Sequence, residues 1–278
     1  GVLNDKTALN KEMAAVYKRD YETKFPNTQL GLGEDVYTVD LISYYEYENI
    51  DSDLVSYLED NNLFSIVTNK ISFSNGAVIY VKDIDMFTEV REKYLLNFVD
   101  ESVYRTLQQH KSVSPLQVYG EQDLNIQVLE TMSVSEGLAS EDKILTTEEE
   151  IMNFFSYGYD TIEKTYYTTV EGDTVEGVAG TQGQGLTAQM LITLNPEVLT
   201  SAQQLLAPGT KINITYFDSP INVVVTKERL SQELIYPEAT KYIYDDTLWA
   251  GKRVTVQEEV IGKMNVRYYD TYTNGILT

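Results

Sequence analysis

The sequence predicts an α+β fold of modular build, with an N-terminal mixed α/β region, a central strand–helix–helix–strand module and a β-rich C-terminal module. Three observations predict this class. Helical periods alternate with hairpin-like runs in the first part, two strand patterns bracket two helical patterns at 165–216, and strand-rich runs with spaced glycines follow from about Ile221. A chain of 278 residues is long enough for two or three domains. We place the boundaries at 1–120 (N-terminal domain), 121–163 (connecting strand–helix unit), 164–217 (central module) and 218–278 (C-terminal module).

The N-terminal region is predicted to combine helices with a hairpin. Helical composition covers residues 6–21 and 51–63, and Ser74-Asn75-Gly76 is a turn signal between two β-prone runs at 64–67 and 77–81. Asp83 is a candidate cap for a helix whose apolar residues recur with the helical period. A strand at 124–132 and a capping-box start at Thr147 for a helix through Phe155 follow.

The central module has local signals for each of its four elements. The β-branched and aromatic run 166–170 predicts a strand, and the turn 171–173 leads to Asp173 or Thr174 as a helix cap. A second helix is expected from Leu186, capped by Thr187 and ended by Asn195-Pro196, because the residue before proline avoids the helical region. The turn at Pro208-Gly209 then leads into a strand at 212–214.

On these residues the segment 165–216 resembles a LysM domain, a small module that grips N-acetylglucosamine chains in peptidoglycan or chitin. The run Tyr166–Val175 is similar to the first strand and turn of that family, and Asn195-Pro196 with Leu206–Ile214 is similar to its second half. The glycine-rich stretch 180–185 is slightly longer than the family pattern. It does not match a phosphate-binding loop, because no lysine follows it in the required position.

The resemblance implies a shallow glycan groove with two sides. Backbone amides would read the acetamido group, and Val175 and Leu199 would supply apolar contact. Some of these residues also have structural roles, since Gly172 makes a turn, Thr174 caps a helix and Pro196 stops one. The implied glycan-binding residues are Gly172, Asp173, Thr174 and Val175 on the first side, and Asn195, Pro196, Glu197, Val198 and Leu199 on the second.

The C-terminal part resembles a G-five domain, a glycine-marked all-β module found beside LysM domains and lysostaphin-type zinc endopeptidase domains. Strand patterns run from Ile221 through 233–237, 249–257 and 266–272. Gly251, Gly262 and Gly275 match the glycine positions of that family. Because the family continues beyond the last of these glycines and the chain stops at Thr278, we expect a truncated copy.

Composition restricts the possible partners. A formal charge of −22 and a pI near 4.3 argue against nucleic acid and other polyanions, whereas a neutral glycan is compatible. The absence of cysteine excludes disulfides and cysteine-ligated zinc. No apolar run is long enough for a membrane span. If the protein is exported, we expect its signal or anchor upstream of these residues. We expect a monomer without a cofactor.

The sequence singles out no residues for catalysis or metal binding. The single histidine, His110, cannot by itself form a lysostaphin-type zinc site, and we expect it at a helix end. Carboxylate pairs suited to glycoside hydrolysis occur by chance among 43 acidic residues. The sequence thus predicts noncatalytic peptidoglycan binding in the cell wall or at the surface of a Gram-positive bacterium, as the targeting part of a cell-wall hydrolase or surface protein. The alternatives are a spacer or protein-interaction module that binds no sugar, and a glycan hydrolase.

Overall fold

A computed structural model of the protein contains both helices and sheets, which confirms the α+β class. It describes residues 1–33, 35–159, 163–182 and 185–278. The helices are α1 (Lys6–Val16), α2 (Asp51–Asp60), α3 (Ile84–Leu95), α4 (Glu101–Gln108), α5 (Glu148–Tyr157), α6 (Val175–Gln182) and α7 (Ala188–Leu194). The strands are β1 (Leu30–Leu32), β2 (Phe64–Phe73), β3 (Val78–Val81), β4 (Gly120–Val128), β5 (Met132–Ala139), β6 (Ile144–Leu145), β7 (Tyr166–Thr168), β8 (Lys211–Asn213), β9 (Val223–Ile235), β10 (Gly262–Thr273) and β11 (Ile276–Leu277).

Contacts divide the chain into two compact units, and each unit is assembled from two separate stretches. The first unit consists of Gly1–Asn97 and Val128–Asn222, and the second consists of Phe98–Gln127 and Val223–Thr278. This grouping follows contacts, whereas the four ranges expected from the sequence follow motifs. In particular, the stretch that carries α4 and most of β4 groups with the C-terminal strands.

The first unit has a five-stranded sheet centred on β2. This strand pairs antiparallel with β1, β3 and β5, and β3 pairs parallel with β6. The hairpin turn predicted at Ser74–Gly76 is present: the Phe73 amide donates to the Ala77 carbonyl at 2.8 Å, and Gly76 has a φ of +94°. The strand before the turn is longer than its β-prone run at 64–67, because pairing with β5 extends the ladder to Phe73.

The helix caps follow the side chains that the sequence indicated. The Asp83 carboxylate accepts from the amides of Asp85 and Met86 at the start of α3. Thr147 and Glu150 form a capping box at the start of α5, and bonding to the Thr146 and Thr147 amides holds the pKa of Glu150 below its usual range. Helix α1 continues into a π-helical turn at Tyr17–Tyr21, so helical structure covers the predicted 6–21.

An aromatic core lies under α3 and α5. The Tyr94 ring stacks on Phe155 at a centroid distance of 5.2 Å and on Phe217 at 6.0 Å. Phe217 is the last residue of the range 164–217 assigned to the central module, so the chain leaving that module passes through this core. Burial raises the pKa of Tyr157, which packs edge-on against Phe217, to about 12. The central module is therefore packed into the first unit rather than joined to it by a linker.

The second unit is built on a long antiparallel hairpin. Strands β9 and β10 pair without interruption from Val224↔Thr273 to Ile235↔Gly262. An Asn274-Gly275 turn, with positive φ at both residues, leads into β11, and β4 borders β9. The strand pattern at 249–257 was misleading, because these residues form turns and irregular backbone. Their side chains are exposed, so the β-prone residues there find no sheet to join.

A buried carboxylate organises the hairpin of the second unit. Glu228 is fully buried, pairs with Arg267 on the facing strand, and accepts from the Leu116 amide at 2.9 Å and from Gln122 Nε2 at 2.8 Å. Arg267 also donates to the Leu116 carbonyl at 3.0 Å. Because a buried charge requires a partner, this network fastens the 114–117 loop to the sheet.

Candidate functional site

The central module has the strand–helix–helix–strand order that the sequence predicts. Strands β7 and β8 pair antiparallel, with Tyr166 opposite Asn213 and Thr168 opposite Lys211. Helices α6 and α7 lie between them in sequence and contact each other. The module has its own apolar core, formed by Val175, Val178, Ala179, Leu191, Leu199, Leu206 and Ile212.

The first half of the glycine-rich stretch 180–185 belongs to a helix. Helix α6 runs through Gln182, so residues 180–182 are helical. Residues 183 and 184 lie outside the described part of the chain. Thr187 caps α7 as predicted: its hydroxyl accepts from the Met190 amide at 3.1 Å and donates to the Asn97 carbonyl at 2.9 Å.

The first side of the expected groove is a tight turn held by two side chains. Gly172 has a φ of +90°, a value that favours glycine. The Asp173 carboxylate accepts from the Val170 amide at 2.8 Å and from the Tyr167 hydroxyl at 3.0 Å, and this bond raises the pKa of Tyr167. Of the two candidate caps, Thr174 is the one that caps the following helix: its hydroxyl accepts from the Gly177 amide at 3.0 Å. The residues of this side therefore shape the turn.

The structure brings this turn against residues 202–206. The amide of Val175 donates to the Gln204 carbonyl at 3.2 Å, and the Leu206 amide donates to the Asp173 carbonyl at 2.8 Å. Thr174 and Leu205 thus form an antiparallel bridge. The two hydrogen bonds join the neighbours of Thr174 and Leu205, so these two residues do not bond to each other. The Thr174 N–H and the N–H and C=O of Leu205 therefore point outward from the bridge. Leu205 was not among the predicted residues, and its place after the 195–199 segment gave no signal of this pairing.

The second predicted side is held by its own hydrogen bonds. Asn195 uses its whole side-chain amide: Nδ2 donates to the carbonyls of Leu191 and Asn213, and Oδ1 accepts from the Asn213 amide. It therefore ties the end of α7 to β8. Pro196 and Glu197 are exposed. Gln204 closes the following loop, accepting from the Thr200 amide at 2.7 Å and donating to the Val198 carbonyl at 2.9 Å.

Two roles expected from the sequence are wrong. Val175 and Leu199 were expected to contact a sugar with their side chains, but both side chains are buried in the module core. Their regular spacing reflects packing. The apolar side chains that do reach solvent here are Val170, Val198 and Leu205, which are 57%, 43% and 68% exposed.

The amides at the start of α6 are also occupied. Those of Val175, Glu176 and Gly177 bond to the Gln204 carbonyl, the Ala202 carbonyl and the Thr174 hydroxyl. A ligand at this turn would therefore meet the outward backbone groups of Thr174 and Leu205. We call Gly172–Thr174 together with Val198 and Leu205 the turn surface.

Groups suited to metal chemistry are not assembled in the part of the chain that the structure describes. No three His, Asp or Glu side chains there are placed to hold a metal ion. His110 follows the end of α4 with a φ of +57°, and its amide donates to the Leu107 carbonyl at 2.9 Å. Across the described ranges, no helix is both long enough and apolar enough to cross a bilayer.

Comparison with protein families identifies a G5 domain at residues 226–278. This match covers most of β9, the β9–β10 connection, β10 and β11, and it confirms the G-five resemblance. The comparison gave no match to LysM. Searches of curated proteins and of solved structures gave no match.

Proposed function

We propose that this chain is a noncatalytic glycan-binding protein whose central module holds N-acetylglucosamine chains of peptidoglycan at the turn surface. The observation that carries the proposal is the closed strand–helix–helix–strand module, in which an exposed Leu205 side chain lies beside outward backbone groups. Apolar contact with a sugar face, together with a backbone donor and acceptor for an acetamido group, is what such a ligand requires. The arrangement supports a shallow site of low affinity.

The G5 domain supports a place outside the cytoplasm. G5 domains are associated with cell-wall and extracellular proteins. On this basis we place the chain in the cell wall or at the surface of a Gram-positive bacterium, as the targeting part of a cell-wall hydrolase or surface protein. A lysostaphin-type zinc centre would belong to residues outside this sequence, since such a site needs several histidines and the chain has one.

The charge of the chain supports a neutral ligand. At −22, the protein repels polyanions of the wall, whereas an N-acetylglucosamine chain without free carboxylates carries no charge to repel. Binding through apolar contact and backbone hydrogen bonds should depend little on salt. Attraction to a charged polymer would weaken as salt rises.

A second function, that of a spacer or protein-interaction module, is favoured by one specific observation. The first three amides of α6 are satisfied within the module, and the two expected apolar contacts are buried. A module so closed on itself can serve as a rigid support without a ligand. The two functions differ in whether the turn surface meets sugar.

A pull-down on purified insoluble peptidoglycan separates them. The informative variant is Leu205→Ser, which removes exposed apolar surface and leaves the core intact; Thr174 is unsuited because it caps α6. The matched control is Leu129→Ser, since Leu129 is 55% exposed and lies outside the module. We expect the bound fraction to fall several-fold for Leu205→Ser and to stay unchanged for Leu129→Ser at low and high salt. Absence of binding by the unaltered chain would favour the spacer, whereas equal binding by both variants would show that the glycan is held at a surface other than Leu205.

The same incubation tests the absence of catalysis. The supernatant should contain no released muropeptides, reducing ends or new amino termini, with or without added zinc. Reproducible turnover by the pure protein would replace the binding proposal with a hydrolase.

A further inference from the structure

The connection between β9 and β10, residues 236–261, makes no contact with the rest of the described chain through hydrogen bonds, ion pairs or ring contacts. Its interactions join its own members: the Lys252 amide donates to the Trp249 carbonyl, and Arg253 lies over the Tyr242 ring at 4.9 Å. Yet it carries many exposed apolar side chains, namely Tyr236, Tyr242, Ile243, Tyr244, Trp249, Val254, Val256, Val260 and Ile261. An apolar stretch of this length in water is characteristic of a surface that another chain covers.

Within this connection, residues 252–258 have the composition of a strand but no strand partner. The run is Lys-Arg-Val-Thr-Val-Gln-Glu, with three consecutive β-branched residues at its centre. All seven residues are exposed, and Val256 is 91% exposed. The backbone has no regular structure there, so its N–H and C=O groups are not part of a ladder. We call residues 252–258 the pairing segment.

The pairing segment is complementary to itself. When two identical strands pair antiparallel about a two-fold axis perpendicular to the sheet, directly opposite residues lie on the same face. With the axis at Thr255, Lys252 of one copy lies opposite Glu258 of the other, and Val254 lies opposite Val256. One face then carries two valine pairs flanked by two lysine–glutamate pairs.

Other symmetric registers lose this match. Moving the axis to Val254 places Lys252 opposite Val256, and moving it to Val256 places Glu258 opposite Val254. Each shift sets a charge against a valine. Opposite-charge and β-branched cross-strand pairs stabilise a sheet, and mismatched pairs do not.

We propose that two copies of this chain associate by antiparallel pairing of residues 252–258 about an axis at Thr255. The partner of the pairing segment is thus a second copy of the same segment, because both the charges and the apolar residues of the segment are complementary to themselves. The proposed pairing uses only seven residues of each copy, so the interface is small and the association is weak. It departs from the monomer expected from the sequence, and it does not depend on glycan binding because it uses other residues.

Site-specific cross-linking tests the axis directly, because the natural chain has no cysteine. In the proposed register, Thr255 faces its own copy at a Cα separation of about 4.5–5.5 Å, which suits a disulfide. Thr255→Cys should therefore form a disulfide-linked dimer under mild oxidation at least about tenfold faster than Thr240→Cys. Thr240 is a matched control, exposed in the same connection but outside the pairing segment. Equal rates for the two variants would overturn the proposal.

A charge exchange tests the register. In the Thr255→Cys background, Lys252→Glu sets two glutamates against each other at each end of the pair and should slow cross-linking about tenfold at low salt. Adding Glu258→Lys recreates both opposite-charge pairs and should restore the rate. If Lys252→Glu has no effect, or if the exchange does not restore the rate, pairing of residues 252–258 in this register is wrong.

Discussion

The central module and the β9–β10 hairpin are stabilised by different interactions. The module's two strands have three residues each, yet it encloses a core of seven buried apolar residues. The hairpin strands have 13 and 12 residues, but along them only Val223 and Val225 are buried apolar side chains. Short strands with a core and long strands almost without one show that ladder length and apolar burial are separate sources of stability.

Charge and aromatic contacts replace the missing core in the hairpin. Arg229 lies over the Tyr268 ring at 4.4 Å and pairs with Asp270 at 3.2 Å. Lys227 pairs with Asp123 on β4 at 3.3 Å. The hairpin should therefore respond most to the loss of buried charge, and the module to the loss of apolar volume.

The largest effect is expected from Glu228→Ala in the hairpin. It leaves Arg267 and two half-buried donors, the Leu116 amide and Gln122 Nε2, without the buried carboxylate that they share, at a cost of about 3–5 kcal/mol. The opening free energy measured by amide hydrogen exchange in β9 and β10 should fall by that amount. The amides of β7 and β8 serve as an internal reference. The control Glu259→Ala, at an exposed position outside the pairing segment, should change little. Full protection in Glu228→Ala would show that the ladder alone orders the hairpin.

A smaller loss is expected from Leu191→Ala in the module. Leu191 is fully buried in the module core, and its truncation should cost about 2–4 kcal/mol by loss of burial and formation of a cavity. The measurement is amide exchange in α7 and β8. Leu191→Met, which nearly conserves volume, should cost less than about 1.5 kcal/mol. A cost for Leu191→Ala no larger than that of Leu191→Met would contradict the role given to this core.

Thr187→Ala should cost about 1–2 kcal/mol. The variant removes the cap of α7 and the hydrogen bond to the Asn97 carbonyl. Thr187→Ser keeps the hydroxyl and should recover most of the loss. Exchange of the first amides of α7 reports the cap. If alanine and serine behave alike, the hydroxyl does not fasten the module.

The smallest effect is expected from Leu234→Ala, at the end of the hairpin next to the β9–β10 connection. Leu234 is 51% exposed, so its truncation should change the free energy of opening of β9 by less than about 0.5 kcal/mol. A cost comparable to that of Leu191→Ala would mean that this end of the hairpin has apolar packing after all, and the contrast between the two regions would fail.

Local signals predicted most elements of the fold. Caps at Asp83, Thr147 and Thr187, the turn at Ser74–Gly76 and the proline stop at Pro196 depend on residues close in sequence, and each is where it was expected. The helical period also identified the buried faces of the helices. These features are legible because a few neighbouring residues determine them.

Pairings between distant segments could not be predicted in the same way. The bridge between Thr174 and Leu205 joins residues whose sequence neighbours give no sign of a strand pair. The hydrogen-bond network of Glu228 includes the Leu116 amide, which lies more than a hundred positions away in the sequence. The prediction of the glycan-binding residues was affected most. Val175 and Leu199 have the apolar character of a contact residue and of a core residue alike, and burial alone separates the two.

The most direct test of glycan binding is an NMR titration of the intact chain with N-acetylglucosamine oligomers. We predict that the amides of Gly172–Thr174, Val198 and Leu205 shift together, with a dissociation constant in the micromolar to millimolar range, or about −8 to −4 kcal/mol, and with little dependence on salt. The chemical shifts of the β9 and β10 amides should not change. If the amides of the turn surface do not move at millimolar sugar, or move no more than those of the hairpin, the module does not bind glycan at this site.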